Sequence, residues 1–288
     1  INTSKELIIV DKADNLIVEI KNKVNMNQIS NISPLRYPGG KTRACKKLEN
    51  ILINNFNTND FDNLVSPFFG GGSFEFHIQN NYGLNIIAND KFVPLYNFWN
   101  TCKNENKKLC DELNKNLLNI TKEKFINLRK EIMENENSYE QSVMYFIINR
   151  CSFNGSTLSG GFSLESSTKR FTVTSIERIS KLHLDRLTIT NMDFEEFLQN
   201  KNSLIFLDPP YYLESKSKLY GNNGDLHEHF DHIKLHKCLS NKNNWIMTYN
   251  NCNYIKDLYK NYKIIETDWN YGMNKSKKSN EIVIICYN

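Results

Sequence analysis

Asp208-Pro209-Pro210-Tyr211 gathers a carboxylate, two ring-locked residues and an aromatic ring into four consecutive positions. Two prolines fix φ and remove two N–H donors, so carbonyls are the only backbone hydrogen-bonding groups of Pro209 and Pro210. Such a corner suits a planar ligand bearing an amino group. Asp208 accepts one N–H, the Pro209 carbonyl accepts the other, and Tyr211 stacks on the ring, worth ~1–3 kcal/mol. The exocyclic amine of adenine is a poor nucleophile because its lone pair is delocalised into the ring. Two acceptors draw the nitrogen towards tetrahedral geometry, and Asp208 then stabilises the positive charge that develops on it. An ordinary proline turn after a strand is the bland alternative; the preceding apolar run 203–207 and the adjacent aromatic argue against it.

A second group of residues suits a nucleoside. Pro67, Phe68, Phe69, Gly70, Gly71, Gly72 and Ser73 form a glycine turn that permits positive φ and close approach of a ligand to the backbone. It is neither G-x-G-x-x-G nor a P-loop. Asp90 lies 20 residues after Gly70 at the end of the next apolar run, where a carboxylate takes both ribose hydroxyls. Asp193 and Phe194 could hold the adenine of the same ligand; an amphipathic helix start explains them nearly as well. Four histidines, His227, His229, His232 and His236, raise the question of a metal, but amine alkylation needs none, and no metal site is expected.

The positioning elements follow from periodicity. Apolar runs at 61–67, 84–89, 187–190, 203–207, 246–249 and 282–286 read as strands. Helices are expected over 41–54, with Leu48, Ile51 and Leu52 on one face, and from Ser73 onward. Strand, glycine turn, helix, strand opens a doubly wound α/β sheet. Between about 93 and 187 the pattern turns helical, with Phe125, Leu128, Ile132 and Met133 at helical spacing, and 151–170 reads as a loop or hairpin. The ligand-binding ends of such a sheet lie at the strand carboxyl termini, where 67–73, Asp90 and 208–211 fall.

Composition bounds the rest. With 288 residues and 40% hydrophobic content, one large domain, or one carrying an insert, is expected, and wholesale disorder is excluded. No apolar run nears the roughly 20 residues of a membrane span, and none reads as a signal peptide. Seven scattered cysteines without a C-x-x-C pair read as reduced thiols of a cytoplasmic protein. A net charge of +4 permits nucleic acid as a partner without arguing for it.

Together, Leu35-Arg-Tyr-Pro-Gly-Gly-Lys41, 67–73, Ala88-Asn-Asp90, Asn149-Arg-Cys-Ser-Phe-Asn-Gly155 and 208–211 resemble, in their order, the Dam-type adenine-N6 DNA methyltransferases. The resemblance implies a Rossmann-like methyltransferase sheet from 1–92 and 188–288, with a mostly helical target recognition domain at 93–187. It implies S-adenosylmethionine as methyl donor and a flipped-out adenine of double-stranded DNA as acceptor. It places Tyr37, Gly39, Gly40 and Lys41 at the donor, Lys41 near its carboxylate, and gives Asp208 a share in that site. It places Arg36, Arg150, Phe153, Asn154 and Ser156 at DNA, Phe153 as a wedge, and Lys275, Lys277 and Lys278 on a phosphate-contacting loop. A cognate restriction endonuclease acting on the same site is a further partner it admits. Two positions depart from the pattern. Ser66 replaces the usual acid before Pro-Phe, leaving the donor's amine in need of another carboxylate. Leu158 replaces an arginine that reads guanine in GATC-specific members, so GATC is not expected as the target. A DNA-binding protein without activity and an RNA or protein-amide methyltransferase are the rival readings.

Overall fold

The structure, a computed structural model, describes residues 30–37, 39–199, 203–212, 230–270 and 278–287. Seven strands form one sheet: β1 Asn63–Ser66, β2 Asn85–Asn89, β3 Leu187–Thr190, β4 Leu204–Leu207, β5 Trp245–Asn250, β6 Lys263–Asn270 and β7 Lys278–Cys286. Their order is β3-β2-β1-β4-β5-β7-β6. The first five run parallel, and β7 enters antiparallel between β5 and β6. This is the doubly wound, Rossmann-like methyltransferase sheet expected from the sequence.

The central strands are apolar because both faces are covered. Leu204 and Phe206 face one layer with Leu64, Ile246, Val283 and Ile285. Helices α1 (Cys45–Ile53) and α2 (Ser73–Tyr82) close that side through Leu48, Leu52, Phe74 and Ile78. Ile205 and Leu207 face the other layer with Val65, Met247, Ile282 and Ile284. The period-2 alternation thus sorts each strand's side chains between two cores.

The connection from β2 to β3 carries α3 (Val93–Asn104), α4 (Asn106–Lys115), α5 (Lys122–Glu131), α6 (Ser138–Cys151), α7 (Leu164–Lys169) and α8 (Val173–Ser180). Helix α6 is buried from Gln141 to Cys151 and is the axis of this layer. Three short helices complete the described chain: α9 (Phe194–Leu198), α10 (His232–Leu239) and α11 (Asn253–Leu258). No helix among the described residues is long and apolar enough to cross a membrane.

Several expectations need correction. The helix expected at 41–54 begins as a 3-10 turn, Lys41–Arg43, because the chain leaves a glycine pair there. Met133 is exposed, since α5 ends at Glu131, while Phe125 and Ile132 are buried. Strand β6 was not expected; its apolar residues are diluted by Lys263, Glu266, Thr267 and Asp268 because it is the sheet edge. Residues 151–170 hold two 3-10 turns and α7 rather than a regular hairpin, although a single Ser152–Phe162 bridge closes the loop.

Candidate active site

The corner at 208–211 begins where β4 ends. Its carboxylate is gripped from two directions. Lys41 Nζ lies 2.9 Å from Asp208 Oδ1, and Thr248 Oγ1 on β5 donates to the same oxygen at 2.6 Å. Lys41 also donates to the Gly39 carbonyl at 3.2 Å and to Tyr211 Oη at 2.8 Å, and lies 3.8 Å from Glu281 on β7. Only 4% of the Lys41 side chain is exposed, so these acids supply the compensation that a buried cation requires. Pro209 is buried, whereas Asp208 and Tyr211 are half-buried. The Tyr211 ring sits 5.9 Å from that of Tyr249, and Tyr212 stacks on Tyr254 at 4.3 Å. The corner is therefore rigid, acidic and flanked by aromatic faces.

The glycine turn lies beside it. Gly70 and Gly72 have φ of 51° and 65°. A Cβ on Gly70 would meet Tyr37 Cε1 at 2.9 Å, and one on Gly72 would meet Phe69 Cζ at 2.6 Å. The chain's own rings thus already demand glycine here. Asp90 stitches the turn to β2: Oδ2 accepts from Gly70 N at 2.9 Å and Oδ1 from Phe92 N at 3.0 Å. Burial raises its pKa to about 6 despite those two donors. Each oxygen keeps a second lone pair. Phe69 turns into the core against Phe76 and Trp99. Its backbone, not its ring, belongs to the turn. Pro67 offers its carbonyl to Asn89 Nδ2 at 3.2 Å. Ser73 is the first residue of α2, and its hydroxyl accepts from Thr42 Oγ1 at 3.1 Å. Phe68 packs with Phe194 and Phe230, centroids 5.4–5.6 Å apart. Asp193 caps α9 by accepting from Glu195 N and pairs with Lys91 at 2.9 Å, so the helix-start reading describes its present contacts.

The residues expected at DNA separate into two groups. Phe153 is 62% exposed, beside exposed Asn154. Ser156 Oγ donates to the Phe153 carbonyl at 2.7 Å and shapes the turn. Arg36 is half-buried, its backbone clamped by Asn149, which donates to the Arg36 carbonyl at 2.6 Å and accepts from its N–H at 2.9 Å. Arg150 departs from expectation. It is buried, and its guanidinium donates to the carbonyls of Arg170 at 2.7 Å and Pro34 at 3.2 Å. Burial, with Arg36, Arg178 and Arg170 nearby, lowers its pKa to about 10, so it stays charged as an internal brace. Lys275 and Lys277 lie outside the described residues, and Lys278 starts β7. His227 and His229 also lie outside them. His232 bonds Tyr249 Oη, and His236 packs edge-on to Tyr259. Among the described residues no three metal-ligating side chains converge.

An acidic corner beside a glycine turn, at the carboxyl ends of a parallel sheet, describes a class of chemistry more than a family. The family comparison decides between them: the model of the D12 class N6 adenine-specific DNA methyltransferases matches residues 37–273. The chain belongs to that family. The Type II methyltransferase M.MjaIII of Methanocaldococcus jannaschii is 25% identical to it over 198 residues, 62% of this chain and 68% of that protein. As a D12-class adenine-specific DNA methyltransferase, the protein acts on DNA.

Three residues around the Asp208 corner of this D12-class chain carried no motif signal in the sequence. Thr248 sits inside an apolar strand. Glu281 opens the last apolar run and only the β7 insertion brings it to Lys41. Glu75, on the first turn of α2, is 2% exposed and accepts from Ser66 Oγ at 2.6 Å. Burial pushes its pKa up to about 8, and Asp208 nearby adds to the effect. An acid in the first turn of a helix usually signals only dipole complementarity, which hid this one.

Proposed function

We propose that the protein transfers a methyl group from S-adenosylmethionine to N6 of an adenine flipped out of double-stranded DNA. The observation that carries this reading is Asp208, fixed through Oδ1 by Lys41 and Thr248 beside the Tyr211 ring. With Oδ1 so engaged, Oδ2 is the oxygen to accept an amine N–H, while the Pro209 carbonyl takes the second and Tyr211 the ring face. As the nitrogen lone pair forms the new N–C bond, the methyl–sulfur bond would break with its electron pair left on sulfur as S-adenosylhomocysteine, while Asp208 stabilises the growing positive charge and then offers an acceptor for the surplus proton.

The donor fits the second half of the site by the chemistry of its lining. Carboxylates at Asp90 and Glu75 suit ribose hydroxyls and a cationic amino acid moiety, and the glycine turn lets a ligand approach the backbone. When bound, S-adenosylmethionine supplies an electrophilic methyl group. Tyr37 covers the turn, Asp90 holds it to β2, and Lys41 and Asp208 lie at the junction between donor and acceptor. The Phe68–Phe194–Phe230 cluster is suited to an adenine ring. Residues 93–187 serve as the DNA recognition domain, with Phe153 as the wedge and Asn154 on a base edge. Leu158 is buried and cannot read guanine. All seven cysteines are free thiols, in keeping with action on DNA in the cytoplasm, where a cognate restriction endonuclease would share the target.

Tritiated donor incubated with mixed-sequence duplex DNA tests the reading. Label should enter N6 of adenine, and Asp208→Ala should abolish transfer while donor binding, followed by calorimetry, persists. Undiminished turnover in Asp208→Ala, or label in another position, would overturn it.

A further inference from the structure

Glu75 follows the glycine turn by one helical residue pair, yet its side chain doubles back to the end of β1. Ser66, 0% exposed, donates to Glu75 Oε1 at 2.6 Å. An acid this far from water is costly unless a cation compensates it. The charges bearing on Glu75 are Asp208, which repels, and Lys41, which attracts more weakly. Lys41 is already shared between Asp208 at 2.9 Å and Glu281 at 3.8 Å. Lys41 lies within 4 Å of two carboxylates and bears on Glu75 only at longer range, so its charge is directed to the others before it reaches Glu75. A serine hydroxyl alone would be satisfied as well by a neutral amide, so internal hydrogen bonding gives no reason for an acid. A positively charged ligand group does.

We propose that Glu75 anchors the amino group of the donor's methionine moiety, standing in from α2 for the acid that position 66 lacks. Ser66 then orients that carboxylate through its hydroxyl. The inference rests on S-adenosylmethionine being the donor. The charge balance supports it: with its pKa near 8, Glu75 is mostly protonated before binding at neutral pH, and pairing with an ammonium drives that proton off. The groups facing it during that change are Ser66, Asp208, Lys41 and the Cys45 thiol, itself pushed up to about 12 by burial.

Calorimetry with S-adenosylhomocysteine, which keeps the amine, and with its des-amino analogue tests the assignment on the full chain. Wild type should prefer the amine-bearing ligand and release about one proton on binding it near pH 7, read from the dependence of heat on buffer ionisation. Glu75→Gln should weaken S-adenosylhomocysteine about tenfold to a hundredfold, the effect of losing one charge-assisted hydrogen bond, and leave the analogue unchanged. Adding Ser66→Asp to Glu75→Gln should restore the preference. Equal loss for both ligands, or no loss, overturns the proposal while leaving the donor intact. Should Glu75→Gln not fold, wild type that neither prefers the amine nor releases a proton overturns it equally. Failure of wild type to bind S-adenosylhomocysteine at all overturns the donor reading, and the proposal with it.

Discussion

Lys41 and Glu75 divide the electrostatic work of the corner unequally. Lys41 is a buried cation with several acceptors, while Glu75 is a buried acid whose burial outweighs its partners. A carboxyl whose folded pKa lies above its unfolded value binds protons more tightly in the folded state. Folding is then favoured at low pH, and that contribution is lost as pH rises from about 4.5 towards 8. Glu75→Gln removes this dependence. The variant should therefore match wild type in thermal stability near pH 4.5 and exceed it above pH 8, in melts of the unliganded proteins at both values. Groups such as Asp90 titrate alike in both proteins and cancel in the difference. A variant less stable than wild type at pH 8.5 would contradict the burial argument. At this scale the sequence displayed Asp208–Tyr211 and Asp90, because each sits beside a break in an apolar run. Thr248 was invisible because one polar residue within an apolar strand has no spacing to announce it, and Glu75 because it is one of several polar residues along a mixed helix.

Two loops position the chemistry. In the glycine turn, Gly70 combines left-handed φ with an aromatic carbon 2.9 Å from where its Cβ would lie. Gly70→Ala should cost at least ~1–2 kcal/mol in urea unfolding, the left-handed penalty alone. Gly161→Ala, where a Cβ meets nothing within 4 Å, should be nearly neutral. The loop at 152–162 is held differently. Arg129 of α5 donates to the carbonyls of Leu158 at 2.5 Å and Gly160 at 2.8 Å, and Asn154 and Thr157 sit at φ of 53° and 50°. Non-glycine residues keep such angles only where their surroundings impose them. Arg129→Ala should therefore lower duplex DNA affinity severalfold in fluorescence anisotropy, with donor affinity unchanged by calorimetry. Loss of both would mean that the arginine supports the whole fold. The exposed Phe153 was legible from its motif, whereas the burial of neighbouring Arg150 was not. Arg150 lies in the last turn of α6 and Phe153 beyond its end, and only packing shows that Arg150 faces inward.

Across the whole molecule the parallel strands and the helical connection at 93–187 were readable from periodicity, because fully covered strands are uniformly apolar. Edge strand β6 was not, since water on one side dilutes the pattern. The order of assembly has a further consequence. Strand β7 is threaded between β5 and β6, and only its arrival carries Glu281 to Lys41. During synthesis, β5 therefore waits with an unpaired edge while the glycine turn, the 208–211 corner and the 152–162 loop have all left the ribosome. A nascent chain in that interval can already hold Lys41 against Asp208, yet β5 has one bare flank, so closure of the sheet should come in a single step when β7 pairs with it rather than accumulate gradually.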